Sequence, residues 1–306
     1  MAEVPASLAV TLCGVPLQTP VIGASGTFGF GGEYADIVDM AWLGAISGKG
    51  LTLEGKAGNA GERLYETPAG LINSIGLQNP GVRHFIADEL PAMKALGPKA
   101  MANLGGSTIE TYEEGAALLD ATDVDLIELN ISCPNVKAGG IAYGIKAESA
   151  REVVARVRKC TQKPLIVKLS PNAENIVEMA LACEDAGADA LSLVNTFQAM
   201  AIDLEARRPV FDNVFAGLSG PAIRPIALRM VYQVCKAVRV PVVGLGGIAT
   251  AEDALAFIMA GATAVQVGTA NFADPRACET IAKDMARWLD AHQVTTLNEL
   301  RGCAQV

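Results

Sequence analysis

Apolar residues along this chain gather in eight short, nearly continuous runs, at residues 21–24, 45–48, 100–104, 126–130, 165–169, 190–194, 242–245 and 264–267. Each is rich in Val, Ile, Leu and Ala, the composition of strands buried on both faces. Between them, apolar positions return at helical spacing over residues 149–160, 173–186, 223–238 and 251–260. Gly187 and Gly261 stand just past two of these segments, where a left-handed residue ends a helix. Pro164 and Pro241 each precede a strand, where a missing amide is tolerated.

Eight strands alternating with helices predict an α/β fold, a closed parallel (β/α)8 TIM barrel. An open doubly wound sheet is the alternative, and the strand count favours the barrel. A short N-terminal β-hairpin is expected from residues 8–12 and 15–17 across Cys13-Gly14. No stretch rich in Pro, Ser or like charges divides the chain, so residues 1–306 read as one domain. Residues 51–80 make a segment too long for an ordinary βα loop, and loops of that size are usually functional.

Polar and glycine residues collect where the runs end. The ends carry Ser25-Gly26-Thr27, Gly48-Lys49-Gly50, Asn103, Asn130 with Ser132-Cys133-Pro134-Asn135, Lys168 with Ser170, Asn195-Thr196, Gly246-Gly247 and Gly268-Thr269. A barrel places all of them on one rim, where such enzymes build their sites. Lys168, inside an apolar strand, either snorkels to water or serves as a fixed cation, and Lys49 has the same two readings. Glycines after the last two strands suit backbone amides that approach a phosphate. Asn73, Asn103, Asn130 and Asn195 offer both donors and acceptors to a planar ligand, whereas Asn135 reads equally well as a turn residue.

Composition narrows the classes. Hydrophobic residues are 51% of the chain and charged residues 19%, which excludes disorder. Net charge is −9 with no basic stretch, which argues against nucleic acid. No signal-peptide pattern opens the chain and no run approaches the ~18 apolar residues of a membrane span, so a soluble, cytoplasmic protein is expected. The seven cysteines show no CxxC spacing, which suggests neither a disulfide framework nor a zinc or iron–sulfur site. Cys160, Cys183, Cys235 and Cys278 fall in helical patterns and read as small hydrophobes. The two histidines, His84 and His292, lie in no motif. Cys133 is therefore the leading candidate for a general base, ahead of Tyr143, Glu148 and Glu66, since a thiol of ordinary pKa ~8.5 serves once a partner lowers it. Its bland reading is an inert small hydrophobe.

Ser47 to Gly50, Glu66 to Gly70, Asn73 to Gly81, Asn130 to Asn135 and Gly244 to Ile248 together resemble the motifs of the dihydroorotate dehydrogenases, flavin enzymes of pyrimidine synthesis. The resemblance runs almost end to end. Cys133 stands where membrane-anchored members carry serine, and the stretch from Cys133 to Gly140 resembles the two-subunit, NAD-linked type (class 1B). Tyr143 departs from the phenylalanine expected there. The resemblance implies oxidation of (S)-dihydroorotate to orotate in UMP biosynthesis, with Cys133 as base at C5 and hydride transfer from C6 to FMN. It implies FMN contacts from Ser25, Lys49, Gly50, Asn103, Asn130, Lys168, Val194, Gly220, Gly246, Gly247, Gly268 and Thr269. Substrate contacts would come from Lys49, Asn73, Ser74, Ile75, Gly76, Leu77, Asn130, Asn195 and Thr196, with Thr196 a nearby proton relay and no metal. It further implies a partner subunit carrying FAD and an iron–sulfur cluster, and a homodimer of this chain within a heterotetramer. Alternatives are a fumarate-linked (class 1A) enzyme, a related FMN-dependent dihydropyrimidine dehydrogenase, and a non-catalytic flavin- or phosphate-binding barrel, which would need no base.

Overall fold

The computed structural model describes residues 3–132 and 140–306. Eight parallel strands close into a barrel in chain order: β1 (Val21–Gly23), β2 (Ala45–Ser47), β3 (Lys99–Leu104), β4 (Leu126–Asn130), β5 (Leu165–Lys168), β6 (Ala190–Leu193), β7 (Val242–Leu245) and β8 (Ala264–Val267). All eight expected runs are strands. Four of them leave the ladder one residue earlier than the apolar run does, because the chain turns outward at the rim while its side chains are still buried. Helices α1 (Ile109–Asp120), α2 (Ala147–Arg158), α3 (Ile176–Asp185), α4 (Arg224–Ala237), α5 (Ala251–Met259) and α6 (Ala277–Ala291) surround it. α3 begins later than its apolar pattern because Asn175 caps it, accepting from the amides of Val177 and Glu178. Thr108 and Thr250 cap α1 and α5 in reciprocal capping boxes.

The barrel interior is layered. One apolar side chain from each strand (Ile22, Ala45, Met101, Leu126, Ile166, Ala190, Val243 and Ala264) packs with Leu12 and Leu17 of the N-terminal hairpin. That hairpin pairs Val10–Leu12 with Val15–Leu17, and its turn residues Cys13 and Gly14 take φ of 51° and 80°. It closes the end of the barrel away from the rim. Its first strand starts at Val10 because Ala6–Leu8 form a 3-10 turn. Two residues further along six strands the interior turns polar, with Ser47, Asn103, Glu128, Lys168, Ser192 and Gln266 all buried. Strand periodicity of two makes the alternation.

Two long excursions rise from the rim. The first, foreseen at residues 51–80, contains strands Leu64–Thr67 and Gly70–Asn73. The second, after β6, contains Phe197–Ala199 and Ala216–Ser219 and was not legible in the sequence. The four strands form one antiparallel sheet in which Leu71, Ile72 and Asn73 pair with Ser219, Leu218 and Gly217. Ser74 Oγ links the excursions again, taking hydrogen bonds from Asn59 (3.1 Å) and Asn213 (3.3 Å).

Candidate active site

Glu128 sits at the centre of the polar layer and is fully buried. Its carboxylate accepts hydrogen bonds from Ser47 Oγ (2.9 Å), Asn103 Nδ2 (2.6 Å), Ser192 Oγ (2.7 Å) and Gln266 Nε2 (2.6 Å). Lys168 Nζ lies 4.0 Å from Glu128 Oε2. Burial pushes the carboxyl up, but the Lys168 cation and the donors from Ser192, Gln266 and Asn103 outweigh it and hold Glu128 below the ordinary carboxylate range. A buried charge needs this degree of satisfaction to persist.

Above this layer lies a cavity of about 1090 Å³. Sites for single small ligands occupy ~300–1,000 Å³, so this one lies at the large end of that range. Lys168, Gln266 and Asn130 reach its wall, and so do Ser25, Lys49, Gly50, Val194, Asn195 and Thr196. The first excursion contributes Asn73, Ile75 and Leu77. Leu77 takes a left-handed φ of 58°, a strained conformation for a branched residue. Asn79 holds it there, donating to the Leu77 carbonyl at 2.7 Å and accepting from the amides of Thr52 and Gly81.

The loops after β7 and β8 bring Gly246, Gly247, Gly268 and Thr269 to the cavity wall together with Gly220. Gly247 has φ +75°, and a Cβ there would stand 2.7 Å from the Gly220 carbonyl oxygen. A Cβ on Gly246 would meet Ala227 at 2.6 Å. No side chain fits, so the backbone itself forms the wall. Gly247→Ala is accordingly expected to destabilise the protein by about 1–3 kcal/mol and to weaken ligand retention at this wall; the denaturation midpoint and the dissociation constant of the retained ligand check it.

The family profile described as dihydroorotate dehydrogenase matches residues 7–289. The chain belongs to the dihydroorotate dehydrogenase family. It is 57% identical over 293 residues to a Petrotoga mobilis protein named dihydroorotate dehydrogenase B (NAD(+)), catalytic subunit, covering 96% of this chain and 98% of that one. A Geotalea uraniireducens protein of the same name is 56% identical over 296 residues, covering 96% and 97%. In fold the chain is similar to the Eimeria tenella dihydroorotate dehydrogenase solved with ferulenol, at a TM-score of 0.80 and 19% identity, over 100% of this chain and 90% of that one.

A dihydroorotate dehydrogenase of this family uses FMN, and the residues present fit that group. Gly246 and Gly247, where a Cβ would clash, line the cavity with backbone suited to a phosphate, and a buried cation, Lys168, is on the same wall. Of the twelve positions expected to contact FMN, eleven line the cavity. Asn103 does not. It lies beneath the wall, fully buried, donating to Glu128 and accepting from Asn130 Nδ2 at 3.3 Å. Ser74 and Gly76, expected at the substrate, also lie off the wall. Ser74 is spent on joining the two excursions, and Gly76 packs against Asn59 at φ +75°. Lys49, Asn73, Ile75, Leu77, Asn130, Asn195 and Thr196 do line it. Cys133, Pro134 and Asn135 lie outside the described residues, directly after Ser132. Sequence reasoning missed Glu128 and Gln266, although an acid two residues before Asn130 in an apolar strand was a usable signal.

Proposed function

We propose that this chain is the catalytic subunit of an NAD-linked dihydroorotate dehydrogenase, a single domain that oxidises (S)-dihydroorotate to orotate in pyrimidine biosynthesis. The observation that carries the reading is one cavity whose wall brings together close-packed backbone at Gly246 and Gly247, the buried Lys168, and Lys49, Asn130 and Asn195. FMN, when bound, supplies the hydride acceptor. Lys168, a buried cation on the cavity wall, would supply positive charge to the bound flavin. Lys49 offers a cation for the substrate carboxylate, which favours dihydroorotate over an uncharged dihydropyrimidine. Asn130 and Asn195 orient the substrate ring. The Cys133 thiolate takes the proton from C5, and Thr196, on the cavity wall, serves in its release. The sheet built by the two excursions limits access of water. Electrons then leave toward a partner subunit with FAD and an iron–sulfur cluster and on to NAD, in a cytoplasmic heterotetramer built on a dimer of this chain. The same wording, catalytic subunit and NAD(+), in the names of the two relatives supports this over a fumarate-linked enzyme.

The purified protein is expected to be yellow and to bleach when dihydroorotate is added without oxygen. Orotate, and not uracil, should compete. Lys49→Ala is expected to raise KM for dihydroorotate about 10- to 100-fold, the worth of one charge-assisted contact, with a smaller change in kcat. A colourless protein that takes up no FMN, or rapid fumarate reduction by this chain alone, would overturn the assignment or its NAD-linked half, respectively.

A further inference from the structure

Glu128 has no part in the reaction as described, yet it organises the groups that do. A carboxylate only accepts hydrogen bonds, so Gln266 and Asn103 must both turn their amide nitrogens toward it. The direction then propagates. Asn103 presents its oxygen to Asn130 Nδ2, which leaves Asn130 Oδ1 to accept from Ser132 N (3.2 Å) and Oγ (2.9 Å). Ser132 Oγ accepts from Asn195 Nδ2 at 2.7 Å, and Asn195 Oδ1 accepts from the Thr196 amide at 2.8 Å. The series runs from an acceptor-only anion to a donor-only backbone amide, so each amide between them has a single orientation. Among the described residues Gln266 Oε1 is buried and has no hydrogen-bond partner, which leaves an acceptor on a residue of the cavity wall.

The same carboxylate faces Lys168. At 4.0 Å, and with its own carboxylate wholly buried, Glu128 cancels much of the lysine's field. We propose that Glu128 is a positioning residue that damps the positive charge Lys168 presents to the cavity while fixing the direction of the amides around it. The proposal rests on the FMN reading above and deepens it. A bare Lys168 would hold the reduced, anionic flavin far more tightly than the oxidised one. A damped Lys168 holds it less tightly, which suits a subunit that must pass its electrons on. The depressed carboxyl of Glu128, held by Lys168 and its donors, is consistent with a permanently ionised partner.

The test is the midpoint potential of protein-bound FMN, measured by spectroscopic titration of the FMN-loaded protein. Glu128→Gln is expected to increase the preference for reduced over oxidised FMN about tenfold, a rise of about 30 mV for a two-electron couple. Glu128→Asp, which keeps the charge, is expected to stay near the unsubstituted value. An unchanged or lowered potential in Glu128→Gln with stoichiometric FMN overturns the proposal, because a purely structural role lowers occupancy without raising the potential. Should Glu128→Gln not hold FMN, Gln266→Lys neutralises the same carboxylate from the opposite side and is expected to raise the potential too; no rise there overturns the proposal equally. An unsubstituted protein that takes up no FMN defeats the functional reading instead, and the two failures are thereby told apart.

Discussion

Cys133→Ser is expected to bind FMN and orotate normally and to reduce its flavin about 10²- to 10⁴-fold more slowly with dihydroorotate at neutral pH, the usual worth of a positioned general base. Burial pushes the thiols of Cys183, Cys235 and Cys278 up to about 12, and burial with the nearby Asp189 charge does the same for Cys13. None of the four lines the cavity. His84 is on the outer surface beside Asp88, and His292 is stacked on Trp288. Glu66 lines the cavity but is exposed, so Glu66→Gln is a suitable control and should retain most of the rate. Cys133 directly follows Ser132, which is tied to Asn130 and Asn195, both in the cavity wall. Stopped-flow reduction across pH gives the second readout. In the unsubstituted protein the rate should climb as the thiol ionises, whereas a hydroxyl has no such step below pH 10. Full-rate reduction by Cys133→Ser would remove cysteine from the mechanism.

The second large effect concerns stability. Lys168→Met leaves the Glu128 carboxylate buried without its cation, and breaking a buried pair in this way destabilises by about 3–5 kcal/mol. For a chain of this size that corresponds to a fall in Tm on the order of 10 °C. The sign with pH follows from Glu128. Its folded pKa is depressed, so its contribution is present above the unfolded value of ~4.3 and is lost as pH falls through the folded one. Removing Lys168 removes the main influence holding the carboxyl down. The deficit is therefore largest at neutral pH and shrinks toward pH 4, where the variant's carboxyl is protonated. Calorimetry at pH 7 and pH 5 checks it, and the double variant Lys168→Met/Glu128→Gln should recover part of the loss. A deficit independent of pH, or no recovery, would show that the pair does not behave as a buried ion pair.

The barrel was legible because its strands are buried on both faces and so print as apolar runs, and because glycine and capping residues mark the helices between them. The rim was legible for the same reason, since polar residues at the ends of apolar runs stand out. Glu128 was not legible as a centre. Its donors Ser47, Ser192 and Gln266 are 81, 64 and 138 residues away, and nothing in a single strand announces them. Asn103 looked like a rim residue because it stands near the end of an apolar run, but the period of two turns it inward to Glu128. The second excursion escaped because its strands are only two to four residues long, and one of them pairs with a strand about 145 positions earlier; Asn73 and Gly217 are 144 apart.

That shared sheet constrains how the chain can be rebuilt. The strand at Gly70–Asn73 lies between Leu64–Thr67 of its own excursion and Ala216–Ser219 of the other. Neither excursion is a self-contained cassette. Exchanging the first alone for that of a distant relative would strand an edge of the second, and a shortened second would uncover the backbone of the first. Above this barrel, specificity can be transplanted only as a matched pair of segments that stand far apart in the sequence.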